Sequence, residues 1–155
     1  MDNYFFKKEI KFKCQGSSNC CVSRGLYGFV YLSNKDTLRI ANFLNISIKI
    51  FKKKYCDITD GYLHLKEIHK NGNCQFLNKK KCSIYKSRPT QCRTWPFWAE
   101  NMNAKKWNKE LIIFCPGIGR GKTISYYDIQ EKIKLDLKNE KQISKEKKYI
   151  NFHLK

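Results

Sequence analysis

Residues 74–98, CQFLNKKKCSIYKSRPTQCRTWPFW, carry three of the chain's eight cysteines and no sustained helical or strand period. The run Asn78-Lys79-Lys80-Lys81 reads as a turn, so Cys74 and Cys82 close a small loop between them. Asn71-Gly72-Asn73 sets another turn just before Cys74, and Ser87-Arg88-Pro89-Thr90-Gln91 leads into Cys92. A stretch of this composition predicts loops and short turns over residues 70–98, with thiols presented from their corners.

Working outward, regular elements frame this stretch. Ile10-Lys11-Phe12-Lys13 alternates apolar and basic residues as a short half-buried strand does, and Gly25 to Leu32 reads as a second strand. Ser33 predicts a helix start with Asp36 in its first turn, and Leu38, Ala41 and Leu44 form an apolar stripe up to Asn45. Ser47 opens a shorter helix with Ile48, Phe51 and Tyr55 inward and Lys49, Lys52, Lys53 and Lys54 toward solvent. Asp57 to Leu65 is strand-like around a turn at Gly61, and Lys109 to Phe114 reads as a buried strand ending at Cys115. Ser125 caps a last helix with Tyr126, Ile129 and Ile133 on one face, and beyond Asn139 the Lys- and Glu-rich sequence predicts fraying.

The expected architecture is a small irregular α+β single domain with short strands, two or three helices and cysteine-bearing metal-binding loops. Residues 1–122 form the cysteine-cluster part, and residues 123–155 the C-terminal helix with a charged, frayed tail. The length of 155 residues, with 41% hydrophobic and 14% aromatic residues, suits one such domain. The start, Met1-Asp2-Asn3-Tyr4-Phe5-Phe6-Lys7-Lys8, lacks the apolar run of a signal peptide, and no uncharged apolar run approaches the roughly 18 residues of a membrane span. A cytoplasmic location is expected. In a reducing compartment clustered cysteines serve metal binding or redox chemistry more readily than permanent disulfides.

The net charge is +19, from 32 Lys and Arg against 13 Asp and Glu. Residues 1–122 hold 24 of those cations and 8 of the acids, so the excess lies in the cysteine-bearing part. Because 27 of the cations are Lys and only 5 are Arg, the excess reads first as a solvated basic surface. Its expected partner is a weak, salt-sensitive contact with nucleic acid or anionic lipid.

The candidate metal ligands are Cys14, Cys20, Cys21, Cys56, Cys74, Cys82, Cys92 and Cys115. Gln15-Gly16-Ser17-Ser18-Asn19 packs small turn-formers between the first thiols, and Cys115-Pro116-Gly117 presents the last from a turn. Thiolates suit zinc, copper(I) or iron–sulfur clusters, and four sulfurs per centre divide eight cysteines into two sets. Cys56, between Tyr55 and Asp57 at a helix end, reads equally well as a small buried apolar residue. His64 and His69 are alternative fourth ligands, although isolated histidines of this kind are mostly surface or satisfied-core residues.

The order Phe12-Lys13-Cys14, Cys20-Cys21, Cys74-Gln75-Phe76-Leu77, Cys82-Ser83-Ile84-Tyr85, Arg88-Pro89 and Cys92-Arg93-Thr94-Trp95-Pro96-Phe97 resembles the YkgJ-like cysteine-cluster family over roughly residues 10–120. The resemblance implies zinc or iron chelation, iron–sulfur included, and relates the chain to the cysteine-rich part of flagellin lysine N-methylases. Methyl transfer does not carry over to so short a chain. Ser17 stands at the second position of the family's Cys-x-x-Cys-x-x-Cys-Cys pattern, so either Cys56 or Cys115 replaces that sulfur or the site has one ligand fewer.

Around these thiols Arg24, Arg88 and Arg93 are candidate cofactor-binding residues, able to offset thiolate charge or to hold a carboxylate. Trp95, Pro96, Phe97 and Trp98 read either as an apolar lid over the centre or as core. Pro116-Gly117-Ile118-Gly119-Arg120-Gly121-Lys122-Thr123 approximates a phosphate-binding loop, but Pro116 replaces its first glycine and no later apolar strand ends in Asp. No spacing supports a serine triad or paired-carboxylate hydrolysis. The principal expectation is a metal-chelating protein of unassigned activity. Two alternatives are an iron–sulfur oxidoreductase or methyltransferase-associated enzyme, and a zinc-stabilised nucleic-acid-binding module.

Overall fold

The computed structural model describes residues 5–7, 10–16, 19–21 and 28–147. These residues make a mixed α+β arrangement of helices and short antiparallel strand pairs, the class the sequence predicts.

Strand β1, Ile10–Phe12, is antiparallel to β6, Ile118–Ile124, with Ile10 opposite Ile124 and Phe12 opposite Ile118. A bulge between Lys11 and Phe12 displaces Gly119 to Lys122, and Gly119 and Gly121 take the left-handed conformation this needs. The glycine-rich run at 116–123 therefore builds a bulged strand rather than a phosphate-binding turn. Helix α1, Asn34–Phe43, begins with the expected capping box, in which Ser33 Oγ accepts from Asp36 N (3.1 Å) and Asp36 Oδ2 accepts from Ser33 N (3.3 Å). Its inward face differs from expectation: Thr37, Ile40 and Ala41 are buried whereas Leu38 is 48% exposed, because Asp36 is drawn inward by partners outside the helix and turns Leu38 toward solvent. Helix α2, Ile48–Tyr55, is capped by Ser47 and buries Phe51, while Ile48 is exposed.

Strands β2, Cys56–Thr59, and β3, Tyr62–Leu65, form the hairpin expected around Gly61. Residues 30–32 run along β3 through Leu32 N to Leu63 O and Leu65 N to Val30 O, with one bridge from Tyr31 to His64. It is an irregular edge, and residues 25–27 of the expected strand lie outside the described residues. The two-residue strands β4, Leu77–Asn78, and β5, Lys81–Cys82, close the loop between Cys74 and Cys82. Helix α3, Thr90–Thr94, carries Cys92.

The strand expected at Lys109–Phe114 is helical instead. Asn103 caps Ala104–Lys106 (α4), which runs through a π-helical turn, Trp107–Leu111, into Ile112–Phe114 (α5). Trp107 and Leu111, four apart, are both buried, whereas Ile113 is 83% exposed. The apolar run was one-sided, so the helical period prevailed. Helix α6, Tyr126–Lys145, is capped by Ser125 and continues six residues past Asn139, correcting the expected fraying of residues 140–147. Glu146 holds that end, its Oε2 accepting from Asn34 N (2.8 Å) and its Oε1 from Gln142 (2.7 Å). Residues 148–155 lie outside the described residues.

The apolar residues form two clusters. One gathers Phe6, Ile10, Phe97, Met102, Trp107, Leu111, Ile118 and Ile129 between the β1–β6 pair and helices α4 to α6. The other gathers Leu32, Ile40, Ala41, Phe51, Cys56, Leu65, Phe76 and Ile84 between α1, α2 and the β2–β3 hairpin. Helix α3 lies between them, bound to α1 through Thr90 and Asp36 and packed along α6.

Candidate metal centre

Four cysteines from four separate segments converge. Cys20 lies on the turn Asn19–Cys21, pinned by Asn19 Nδ2 donating to Phe114 O (2.7 Å). Cys74 follows the turn at Asn71–Asn73, where Gly72 takes a left-handed φ and Asn73 N donates to Asn71 Oδ1 (3.0 Å). Cys82 stands opposite Leu77 on β5. Lys79 and Lys80 both adopt left-handed φ in the tight turn, a conformation costing about 1–2 kcal/mol per non-glycine residue. Cys92 comes from α3, behind Pro89.

Their electrostatics form one group. Burial, then Cys74, Cys20 and Cys82, push the Cys92 thiol well above its ordinary range. Burial also raises Cys74 and Cys82, and each feels Cys20 as a further raising charge. Three backbone N–H groups and one cation oppose this. Phe76 and Leu77 donate to the Cys74 sulfur, Ile84 donates to that of Cys82, and the Arg88 guanidinium lies within reach of Cys82 and Cys92. Arg88 is itself held by Nη1 donating to Tyr85 O (3.0 Å) and by stacking on the Tyr85 ring. N–H groups aimed at sulfur, with a neighbouring guanidinium, stabilise thiolates over thiols. The donor set therefore fits a thiophilic cation: four soft sulfurs whose thiolates would repel one another without a cation between them, with backbone donors already oriented toward two of them. Among the described residues no three Cys, His, Asp or Glu side chains stand at metal-holding spacing, so the sulfurs lie within electrostatic reach of one another, short of a closed coordination shell.

The remaining candidates sit elsewhere. Cys56 is buried in the second apolar cluster; burial pushes its thiol up to about 12, Lys52 and Lys66 oppose that, and among the described residues no other cysteine acts on it. Cys14 is exposed and Cys115 rests against the first cluster, both near the backbone bond from Lys13 N to Gly117 O (3.0 Å). The Cys21 backbone ends the Asn19–Cys21 turn, while its side chain, Ser17 and Arg24 lie outside the described residues. Arg93 is exposed. His64 is a satisfied core residue: Nε2 meets Thr59 Oγ1 and Nδ1 meets Leu65 O, both at 2.8 Å, and its ring stacks on Phe29 at 3.9 Å. His69 is exposed. Pro96 and Phe97 belong to the core, Trp95 packs against Trp98 and Phe114, and Trp98 donates Nε1 to Gln91 O (3.0 Å) and Thr94 Oγ1 (3.1 Å).

Sequence reading passed over Asp36 as more than a helix cap. Its carboxylate is fully buried, and Oδ1 accepts from Arg39 Nη2 (2.6 Å), Thr90 N (3.0 Å) and Thr90 Oγ1 (2.7 Å), fixing the start of the Cys92 helix. No sequence signal marks a contact 54 residues away.

Among the described residues, no helix is long and apolar enough to cross a membrane. The family described as "CxxCxxCC: Putative zinc- or iron-chelating domain" matches residues 13–116, a stretch containing all four converging cysteines. An uncharacterized protein of Methanocaldococcus jannaschii is 32% identical over 126 residues, covering 76% of this chain and 65% of that protein, so the chain spans just under two thirds of this relative. No solved structure matches. With the family pattern covering most of the chain and the thiols gathered inside it, this protein belongs to the CxxCxxCC family of zinc- or iron-chelating domains.

Proposed function

We propose that Cys20, Cys74, Cys82 and Cys92 together hold one zinc or iron ion through four thiolates, and that this ion orders the loops between the two apolar clusters. The mutual electrostatic action of these four thiols, from segments up to 72 residues apart in sequence, carries the reading. Rotating a cysteine side chain from one staggered χ1 well to the next moves its sulfur by about 3 Å. That motion is of the size needed to close a coordination shell. Arg88 and the N–H groups of Phe76, Leu77 and Ile84 stabilise the thiolates, and the bound ion supplies the positive charge that the four sulfurs lack. Because thiols must lose their protons to ligate, loading releases protons and affinity falls as pH falls. The domain organisation fits this role, with residues 1–122 building the centre and the C-terminal helix bracing α3 from behind.

The test is elemental metal analysis with a visible spectrum on protein purified without oxygen. One zinc or iron ion per chain is expected, lost in Cys74→Ser and Cys82→Ser and retained in Cys56→Ala. Full metal content in both serine variants overturns the ligand assignment. Metal lost from Cys56→Ala while its circular dichroism stays native overturns the exclusion of Cys56.

A further inference from the structure

A cleft of about 450 Å3 opens between α6, the chain at Trp98 to Glu100, and the edge carrying Tyr31 and Tyr62. Its lining contains no Lys or Arg, in a chain with 32 of them, yet it contains Glu100, Asp136 and Glu140, three of only 13 acids. None of these carboxylates forms a salt bridge among the described residues. Asp136 is 5% exposed and its oxygens accept only two long hydrogen bonds, from Thr94 Oγ1 and Ala99 N, each 3.4 Å. Burial first, and then the charges of Glu140 and Glu100, raise its affinity for a proton.

Two further observations point to a ligand. Asn139 lines the same cleft at 8% exposure, and among the described residues its side-chain amide has no hydrogen-bond partner. Arg39 Nε is the buried side-chain nitrogen without a partner among the described residues, so the Asn139 amide opens onto the cleft, where it is free to meet a ligand's polar group. The Tyr62 ring face already attracts an ammonium, since Lys147 Nζ stands 4.8 Å from its centroid at the rim. The Trp98 indole N–H is spent within the protein, so that ring offers the cleft apolar surface alone.

We propose that this cleft binds an aliphatic polyamine, its ammonium groups on Glu100, Asp136 and Glu140, its methylene chain against Tyr62 and Trp98, and Asn139 contacting one amine. A hydrated inorganic cation gains nothing from aromatic walls, and one amine leaves two carboxylates uncompensated. At +19 the protein as a whole repels cations, so uptake of a polycation must come from a local site of opposite charge.

Isothermal titration calorimetry of the full metal-loaded chain with spermidine, at low salt and pH 7.5, tests this. Saturable one-to-one binding is expected, weakened about tenfold or more in the exposed double variant Glu100→Gln/Glu140→Gln and weakened again in Tyr62→Ala. Magnesium chloride should give no saturable heat. Failure of spermidine to saturate at millimolar concentration, equal affinity in the double variant, or an equal response to magnesium each overturns the proposal. The thiol centre is unaffected by any of these outcomes, because metal content is read separately.

Discussion

Replacing Asp36 with Ala removes the acceptor that joins α1 to the Cys92 helix. Three losses follow from the geometry. Half of the capping box disappears when Ser33 N loses its carboxylate, about 0.5–1 kcal/mol. The Thr90 N–H and hydroxyl lose their shared acceptor, and a buried donor left unpaired costs about 1–3 kcal/mol. Arg39 loses its ion pair, but its side chain is 31% exposed and keeps the Arg88 carbonyl at 2.8 Å, so that loss is at most about 1 kcal/mol. Together these give about 3 kcal/mol, or roughly 6–12 °C in Tm for a domain of this size. Asp36→Asn keeps one oxygen facing Thr90 and should cost about half as much. Urea unfolding of metal-loaded protein followed by circular dichroism measures both. A loss below about 1 kcal/mol for Asp36→Ala would refute the view that this carboxylate holds α3 in place.

Gly117→Ala places a methyl group 2.5 Å from Lys13 O and 2.9 Å from a Phe12 ring carbon. The first contact is backbone, so the β1–β6 pair must shift; a loss of about 1–3 kcal/mol is expected in the same assay, while Gly119, with open space around it, reports backbone strain alone. Asp136 supplies a pH signature. Its carboxyl is pushed up to about 6 from 3.8, mainly by burial, so the native state takes up a proton before the unfolded state does as pH falls. This group therefore destabilises fully above pH 6, and the penalty is relieved progressively as pH falls from 6 to below 3.8. The full difference corresponds to about 3 kcal/mol, but solvent reaches the carboxylate from the cleft, so about 1–2 kcal/mol is expected. Thermal melts should show Asp136→Asn more stable than wild type at pH 8, with the gap about halved at pH 5 and closed below pH 4; a gap independent of pH contradicts this.

Much of the frame was legible because it rests on local chemistry. Ser33, Ser47 and Ser125 each satisfy backbone donors within three residues, so helix starts follow from neighbours alone. The loop between Cys74 and Cys82 was readable for the same reason. Lys109 to Phe114 was not, since an apolar tetrapeptide fits a buried strand or half of a helix equally well, and only the tertiary position of Trp107 and Leu111 decides. The grouping of Cys20, Cys74, Cys82 and Cys92 apart from Cys56 was equally hidden, because it depends on Asp36 and Thr90 bringing α3 beside the hairpin. The carboxylates of the cleft come from α6 and from the chain at Glu100, whose meeting no local pattern records.

The pairing of β1 with β6 bears on how the chain is made. Lys13 and Gly117 are joined across 103 intervening positions, so this clasp cannot form until synthesis has passed β6. The second apolar cluster, drawn entirely from residues 30–84, is free to condense long before then. Synthesis therefore leaves Phe6, Ile10 and Phe12 waiting exposed for their partners, and the interval before closure is when the nascent chain is most open to aggregation.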